Sequence, residues 1–114
     1  MTYMLLIVEP PEHRATSEAE RRRKRAEMDV FAGGLRERGL LLGTESLRTE
    51  AVRVVSKNGK AAVIDGPFAE AKEMIGGYFL IDCDDRAQAL AIAHDCPALE
   101  WGTVEVREIG PCYL

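Results

Sequence analysis

The chain has 114 residues, of which 46% are hydrophobic and 30% are charged, and its formal net charge is −4. This length fits one domain with a real hydrophobic core, and no segment combines the low hydrophobicity and high net charge of disordered regions. The acidic balance argues against nucleic-acid binding, because such binding depends on lysine and arginine neutralising phosphates. We therefore expect a single folded domain over residues 1–114.

The longest apolar stretch, residues 4–8, is too short to span a bilayer, and the N-terminus lacks the features of a signal peptide. We expect a cytoplasmic protein that does not contact membranes. The three cysteines, Cys83, Cys96 and Cys112, are odd in number and lack the spacing of a zinc site. Reduced thiols are expected, with Cys112 the most accessible of them.

The first predicted strand covers residues 2–8 (TYMLLIV) and ends before two prolines. Ser17 and Glu20 have the spacing of a capping box, so a helix is expected to begin at Ser17. Gly39 is well placed to cap the C-terminus of this helix. Gly33 and Gly34 inside the helix predict a close approach to another backbone.

Five consecutive cations, residues 21–25, lie on this helix. Glu18 with Arg22 and Glu20 with Lys24 have the i,i+4 spacing of stabilising ion pairs. The surrounding acids leave little net charge, which favours a solvated, ion-paired helix face over an anion-binding patch.

A second strand is predicted over residues 40–47, with a possible bulge at Gly43. Residues 51–57 and 60–64 flank Asn58 and Gly59, a dipeptide typical of a type I′ hairpin turn.

Residues 76–83 form a further apolar strand. Asp85, with Gln88 three residues later, predicts the start of a second helix that runs through Asp95. The last strand, residues 103–109 (TVEVREI), alternates with period two and is therefore expected to be half exposed.

The resulting order of elements, β, α, β, an extra hairpin, β, α, β, predicts a ferredoxin-like α+β fold with an extra β-hairpin. Two helices on one face of a sheet leave the other face uncovered. The apolar runs in the first and fifth strands favour a homodimer that covers this face.

The segment DGPFAEAKE, residues 65–73, follows the fourth strand and combines turn residues with charges. Gly66 and Pro67 restrict the backbone, and burial of the Phe68 ring anchors the loop. The Asp65 carboxylate would then lie against the sheet with little room for water, and a raised pKa would suit a general acid or base. The alternative is an ordinary turn in which Asp65 accepts hydrogen bonds from loop amides.

Other polar residues are candidate substrate ligands around Asp65. Glu70 and Glu73 add like charge, and Lys72 either pairs with one of these acids or binds an anionic substrate. Arg53 on the hairpin presents a fork for anions, as Arg107 does on the last strand. Tyr78 offers a hydroxyl in a pocket, although a strand aromatic is more often part of the core.

The carboxylates of the loop have D-x4-E-x2-E spacing, which matches no EF-hand and includes no histidine. No metal site is therefore predicted. The sequence also lacks a dinucleotide-binding or phosphate-binding motif, so no cofactor is expected.

DGPFAEAKE, the following GGYFLID, the stretch DDRAQALAIAHDCP and the terminal VEVRE resemble the YCII-related family in its DGPF-type branch. The resemblance runs from MTYMLLIVE to VEVREI, nearly the whole chain. It implies a ferredoxin-like domain that dimerises face to face into a dimeric α+β barrel. For the wider family it implies an active-site aspartate paired with a histidine. The aspartate maps onto Asp65, whereas neither His13 nor His94 has a secure counterpart, so the participation of a histidine stays open.

The residues and the resemblance together favour two alternative functions. One is a small-molecule enzyme without a cofactor, of the lyase or isomerase type, with Asp65 as acid/base and Arg53, Glu70, Lys72, Glu73 and Tyr78 around the substrate. The other is a non-enzymatic ligand sensor or an interaction partner of an extracytoplasmic-function sigma factor.

Overall fold

The computed structural model describes residues 1–66 and 73–112. Its strands are Thr2–Glu9 (β1), Leu41–Ser46 (β2), Val52–Lys57 (β3), Lys60–Asp65 (β4), Met74–Asp82 (β5) and Thr103–Glu108 (β6). Its α-helices are Glu18–Glu37 (α1) and Arg86–His94 (α2), and two short 3₁₀ helices cover Pro11–Ala15 and Pro97–Glu100.

Four strands form an antiparallel sheet in the order β2-β5-β1-β6, while β3 and β4 form a separate two-stranded sheet. Helix α1 connects β1 to β2, and α2 connects β5 to β6. This arrangement is the predicted ferredoxin-like α+β fold, with the extra hairpin inserted between β2 and β5.

The core lies between the helices and one face of the sheet. Along β1 every second residue is buried, so Leu5 and Ile7 face the helices. Leu35 of α1 and Ile92 of α2 pack in the same cluster. Full burial of a side chain the size of Leu5 contributes about 1.5–3 kcal/mol to stability.

The local signals at the ends of the helices are confirmed. The Ser17 hydroxyl accepts a hydrogen bond from the Glu20 amide at 3.2 Å, and the Asp85 carboxylate accepts one from the Gln88 amide at 2.9 Å. Gly39 has a φ of +71°, the left-handed conformation that ends a helix without a Cβ clash.

The hairpin turn and the bulge in β2 are also confirmed. Asn58 and Gly59 have φ angles of 51° and 78°, as a type I′ turn requires. The register of β2 against β5 shifts between Leu41 and Gly43, so Leu42 is the extra residue of the bulge.

Two expectations for α1 are wrong. A Cβ added to Gly33 or Gly34 would meet nothing within 4 Å, so neither glycine serves a close backbone contact. The carboxylate of Glu20 binds Arg23 at 2.9 Å rather than Lys24. The physical reason is that Lys24 instead contacts His13, which lies on the inner side of the helix.

The opposite face of the four-stranded sheet carries a second apolar surface. By strand alternation, Met4 and Leu6 of β1 point away from the helices, as do their register partners Leu80 and Tyr78. Their side chains are half-buried. This surface is called the open sheet face below.

Candidate functional site

A cleft of about 700 Å³ lies between the N-terminal half of α1 and the end of the sheet at which β1 stops. Its walls include Glu9 of β1, His13 of the first 3₁₀ helix, Lys24 of α1 and Trp101. These four residues form a connected cluster, which is called the Glu9 cluster below.

Glu9 stands at a position where the pattern of β1 calls for an apolar residue. Tyr3, Leu5 and Ile7 face the helices, and Glu9 continues this series with only 4% of its surface exposed. A buried carboxylate costs free energy unless hydrogen bonds or opposite charges compensate for the lost water. A buried acid at the end of the central strand therefore requires polar partners.

The two prolines after β1 place one such partner beside Glu9. Pro10 and Pro11 end the strand, and the His13 amide donates to the Pro10 carbonyl at 3.0 Å in the following 3₁₀ turn. The turn brings His13 Nε2 to 3.6 Å from Glu9 Oε2, with 11% of the His13 side chain exposed. The strand end thus builds a carboxylate–imidazole pair from residues four apart.

Lys24 contacts the other nitrogen of the same imidazole. Its Nζ lies 3.0 Å from His13 Nδ1. An ammonium group has no acceptor, so when Lys24 is charged the Nδ1 atom must accept and carry no proton. The imidazole proton is then on Nε2, the nitrogen that faces Glu9. One proton is therefore held at the contact between Lys24 and His13.

Trp101 fixes the orientation of the imidazole. The His13 and Trp101 rings are stacked, with centroids 5.4 Å apart and an interplanar angle of 3°. Lys24 Nζ lies 5.2 Å from the centroid of the same indole ring, a distance at which cation–π attraction operates.

Two glycines allow the backbone to close around the cleft. A Cβ on Gly102, directly after Trp101, would lie 2.5 Å from the carbonyl oxygen of Val8. A Cβ on Gly77 in β5 would lie 2.8 Å from the carbonyl oxygen of Glu45. Neither position tolerates a side chain without a shift of the backbone, so both glycines contribute directly to the shape of the site.

A profile of the YCII-related domain matches residues 1–112. The chain belongs to the YCII-related domain family. An uncharacterised protein of Rhizobium meliloti (strain 1021) is 40% identical over 63 residues, which are 54% of this chain and 51% of that protein. The chain thus spans about half the length of this relative. The narrower resemblance to the DGPF branch stays a prediction.

Among the predicted site residues of this YCII-related protein, Tyr78 borders the cleft, and its carbonyl oxygen accepts a hydrogen bond from the Thr44 hydroxyl at 2.9 Å. Asp65 and Arg53 lie on the separate hairpin and Glu73 directly precedes β5, so these three residues do not line the cleft. Glu70 and Lys72 lie outside the described residues.

The expectation that little water reaches Asp65 is not met within one chain. Asp65 is the last residue of β4, pairs with Val52 at the base of the hairpin, and is exposed. The hairpin belongs to a sheet of its own, and within residues 1–66 and 73–112 no second layer shields the carboxylate. A catalytic role for Asp65 stays a prediction.

Sequence reasoning missed the Glu9 cluster. A carboxylate in the inward register of β1 and a histidine four residues later were the available local signals. The sequence predicts an ion pair of Lys24 with Glu20, and nothing local connects Lys24 or Trp101 to His13. His94, the other histidine, is exposed at the end of α2.

Within residues 1–66 and 73–112, no group of three or more His, Cys, Asp or Glu side chains is arranged to hold a metal ion. In the same part of the YCII-related chain, neither α1 nor α2 has the length and apolar character of a membrane-spanning helix.

Proposed function

We propose that the cleft binds a small organic molecule and that the Glu9 cluster moves a proton to or from it without a cofactor, in a lyase- or isomerase-type step. The observation that carries this proposal is the contact of 3.0 Å between Lys24 Nζ and His13 Nδ1 at the wall of the cleft. A positioned pair of nitrogen bases that holds one proton is suited to general acid–base catalysis.

Each residue of the cluster has a distinct part in the proposed step. Glu9 lies opposite Nε2 of His13 and compensates positive charge that develops on the imidazole. The Lys24 ammonium donates a proton to one atom of the substrate, and the amine that results accepts a proton from another atom. His13 holds Lys24 in place through the contact at Nδ1. Trp101 restricts the rotation of the imidazole by stacking on it.

The proposal is tested by exchange of substrate hydrogen with solvent. Purified protein is examined by native mass spectrometry for a co-purified compound, and a panel of small organic acids is screened through the fluorescence of Trp101, the one tryptophan of the chain. Any compound that binds is then incubated with the protein in D₂O, and incorporation of deuterium is followed by NMR.

Four variants distinguish the candidate residues. We expect Lys24→Met and His13→Asn to slow deuterium incorporation by about 100-fold, within the range of general acid–base catalysis. Arg36→Met, on the exposed last turn of α1, is the matched control for loss of a cation and leaves the rate unchanged. If only Asp65→Asn abolishes incorporation, the acid/base role belongs to Asp65 and the cleft proposal is wrong.

The non-enzymatic alternative predicts a different result in the same assay. A ligand sensor or a partner of an extracytoplasmic-function sigma factor binds without exchanging substrate hydrogen. Tight binding with no incorporation by the unmodified protein, together with co-purification of a sigma factor, would support that alternative.

The homodimer is also part of the proposal. The open sheet face exposes Met4, Leu6 and Leu80 in part, and a second copy with the same surface covers it by twofold symmetry. Light scattering during size exclusion measures the mass directly, and a value of twice the chain mass of 12.6 kDa is expected.

A further inference from the structure

The five consecutive cations of α1 do not share one environment. Arg22 binds Glu18 at 2.6 Å, and Arg23 donates to three carboxylates. Within residues 1–66 and 73–112, neither Arg21 nor Arg25 forms an ion pair with a carboxylate. The structure therefore separates two arginines from the ion-paired part of the helix.

These two arginines lie side by side at the cleft. Arg21 and Arg25 are four positions apart on α1, so they project from the same side of the helix, and both line the cleft from its exposed edge. Arg21 donates to the backbone carbonyl of Thr16, which carries no net charge to neutralise the guanidinium. Each guanidinium has five N–H donors, so most of them remain available to a ligand.

The acids that border the cleft do not cancel this charge. Glu9 lies opposite His13, and Glu18 is already in its ion pair on α1. Glu45 is in register with Tyr78, so by strand alternation its side chain points away from the helices. Asp29, one turn further along α1, pairs with neither arginine within the described part of the chain. The edge of the cleft beside the two arginines thus has an excess of positive charge.

The inner end of the cleft is apolar. Ile7, Ala32 and Phe79 line it, and all three are buried. Lys24 is half-buried and so lies between this apolar end and the exposed arginines in order of depth. The cleft volume of about 700 Å³ is within the range of pockets for small organic molecules. Such a pocket suits a ligand with a charged end and an apolar body.

We propose that the ligand of the cleft is a small organic carboxylate, with its carboxylate between Arg21 and Arg25 and its apolar body towards Phe79. The forked donors of arginine match the two oxygens of a carboxylate. Lys24 follows Arg21 by three positions on the same face of α1, so it reaches the substrate atoms next to the carboxylate. This assignment names the substrate class of the proton transfer proposed above and rests on that proposal.

The first test compares three probes that differ in charge or in apolar body. Phenylacetate, its neutral counterpart phenylacetamide, and acetate are titrated into the ¹⁵N-labelled protein, and the indole N–H signal of Trp101 is followed by NMR. Phenylacetate should bind about tenfold more tightly than phenylacetamide, because only the carboxylate pairs with both guanidinium groups. It should also bind about tenfold more tightly than acetate, which has no apolar body to bury. Equal affinity of phenylacetate and phenylacetamide, or no binding of phenylacetate, would overturn the proposal.

The second test assigns the carboxylate to the two arginines. The double variant Arg21→Gln/Arg25→Gln should bind phenylacetate about tenfold more weakly than the unmodified protein and phenylacetamide equally well. Arg36→Gln/Arg38→Gln is the matched control, since it removes two exposed cations from the other end of α1, away from the cleft. Circular dichroism checks that both double variants fold. Equal loss of phenylacetate affinity in the two double variants would mean that only the overall charge matters, and would refute the site.

Deuterium exchange separates this proposal from the one on which it rests. If a neutral compound exchanges hydrogen through Lys24 while carboxylates do not bind, the proton transfer stands and the carboxylate assignment is wrong. If carboxylates bind through the two arginines and none exchanges hydrogen, the anion site stands and the enzymatic role is wrong. Affinity for phenylacetate should also fall as salt is added, because the two arginines are exposed.

Discussion

Glu9 Oε2 lies 3.6 Å from His13 Nε2, and both side chains are nearly withdrawn from solvent at the end of the central strand. The pair occupies a position where burial of an apolar side chain would be more favourable. Its presence at the wall of a cleft is therefore the feature of the fold that most directly indicates chemistry.

Removing the charge of Glu9 should lower stability measurably. Glu9→Gln keeps the shape of the side chain but weakens its contact with His13. Because the loss of a buried polar contact costs about 1–3 kcal/mol, the free energy of unfolding should fall by that amount. Urea unfolding at pH 7 gives the free energy of unfolding of each protein. Glu12→Gln, on the exposed side of the same 3₁₀ helix, is the control and should change it little. Equal losses of unfolding free energy in the two variants would show that the contact between Glu9 and His13 does not stabilise the fold.

Two glycine-to-alanine substitutions should have opposite signs. Gly102→Ala places a Cβ against the Val8 carbonyl and should destabilise the protein by about 1–3 kcal/mol, the cost of overpacking. Gly34→Ala meets no atom within 4 Å and should stabilise α1 by about 0.5–1 kcal/mol. Urea unfolding measures both. Gly102→Ala should also alter the emission of the adjacent Trp101, and unchanged emission with unchanged stability would contradict the proposed packing.

Arg23 should stabilise the fold in a pH-dependent way. It donates to Glu20, Glu27 and Glu100, and Glu100 is the last residue of the second 3₁₀ helix, which packs on α1. Hydrogen bonds from Arg23 lower the pKa of both Glu20 and Glu100 below the ordinary value of 4.5. A carboxylate with a lowered folded-state pKa contributes stability above its unfolded-state pKa and loses it as the pH falls through the folded-state value.

The measurement is urea unfolding of Arg23→Gln and the unmodified protein between pH 7 and pH 3. We expect the difference in stability to be largest above the ordinary pKa of 4.5 and to shrink as the acids become protonated. Arg22→Gln, which removes an exposed pair with Glu18, is the control. A difference that stays constant down to pH 3 would mean that Arg23 acts through packing alone.

The three thiols should differ sharply in reactivity. Cys112 is exposed, whereas Cys83 and Cys96 are buried, and burial raises the pKa of both buried thiols. Because the thiolate is the reactive form, a disulfide reagent at pH 8 should modify one thiol quickly in the folded protein and all three after unfolding. Cys112→Ser should abolish the fast phase. Fast modification of that variant would show that the core opens.

Much of the fold followed from local rules. The capping residues Ser17 and Asp85 and the turn at Asn58 and Gly59 were predictable because each satisfies backbone hydrogen bonds or dihedral angles within a few residues. The alternation of polar and apolar residues in β6 likewise predicted which side of this strand faces the core. The predicted bounds of the strands differ from the observed ones by one or two residues, which is where such elements fray.

The Glu9 cluster was not predictable in the same way. Five consecutive cations are equivalent in sequence, and only the packing of α1 against Trp101 determines that Lys24 is the one that reaches His13. Arg23 likewise acquires Glu100 only when the second 3₁₀ helix packs on α1.

The sequence by itself determined where the helices, the strands and the hairpin turn lie along the chain, because these depend mostly on interactions between residues close in the chain. The tertiary structure alone decided which charged side chains meet. It brought Trp101 beside His13 and placed Asp65 on a hairpin that is separate from the four-stranded sheet. These contacts depend on how the helices pack on the sheet, and the spacing of residues along the chain does not determine that packing.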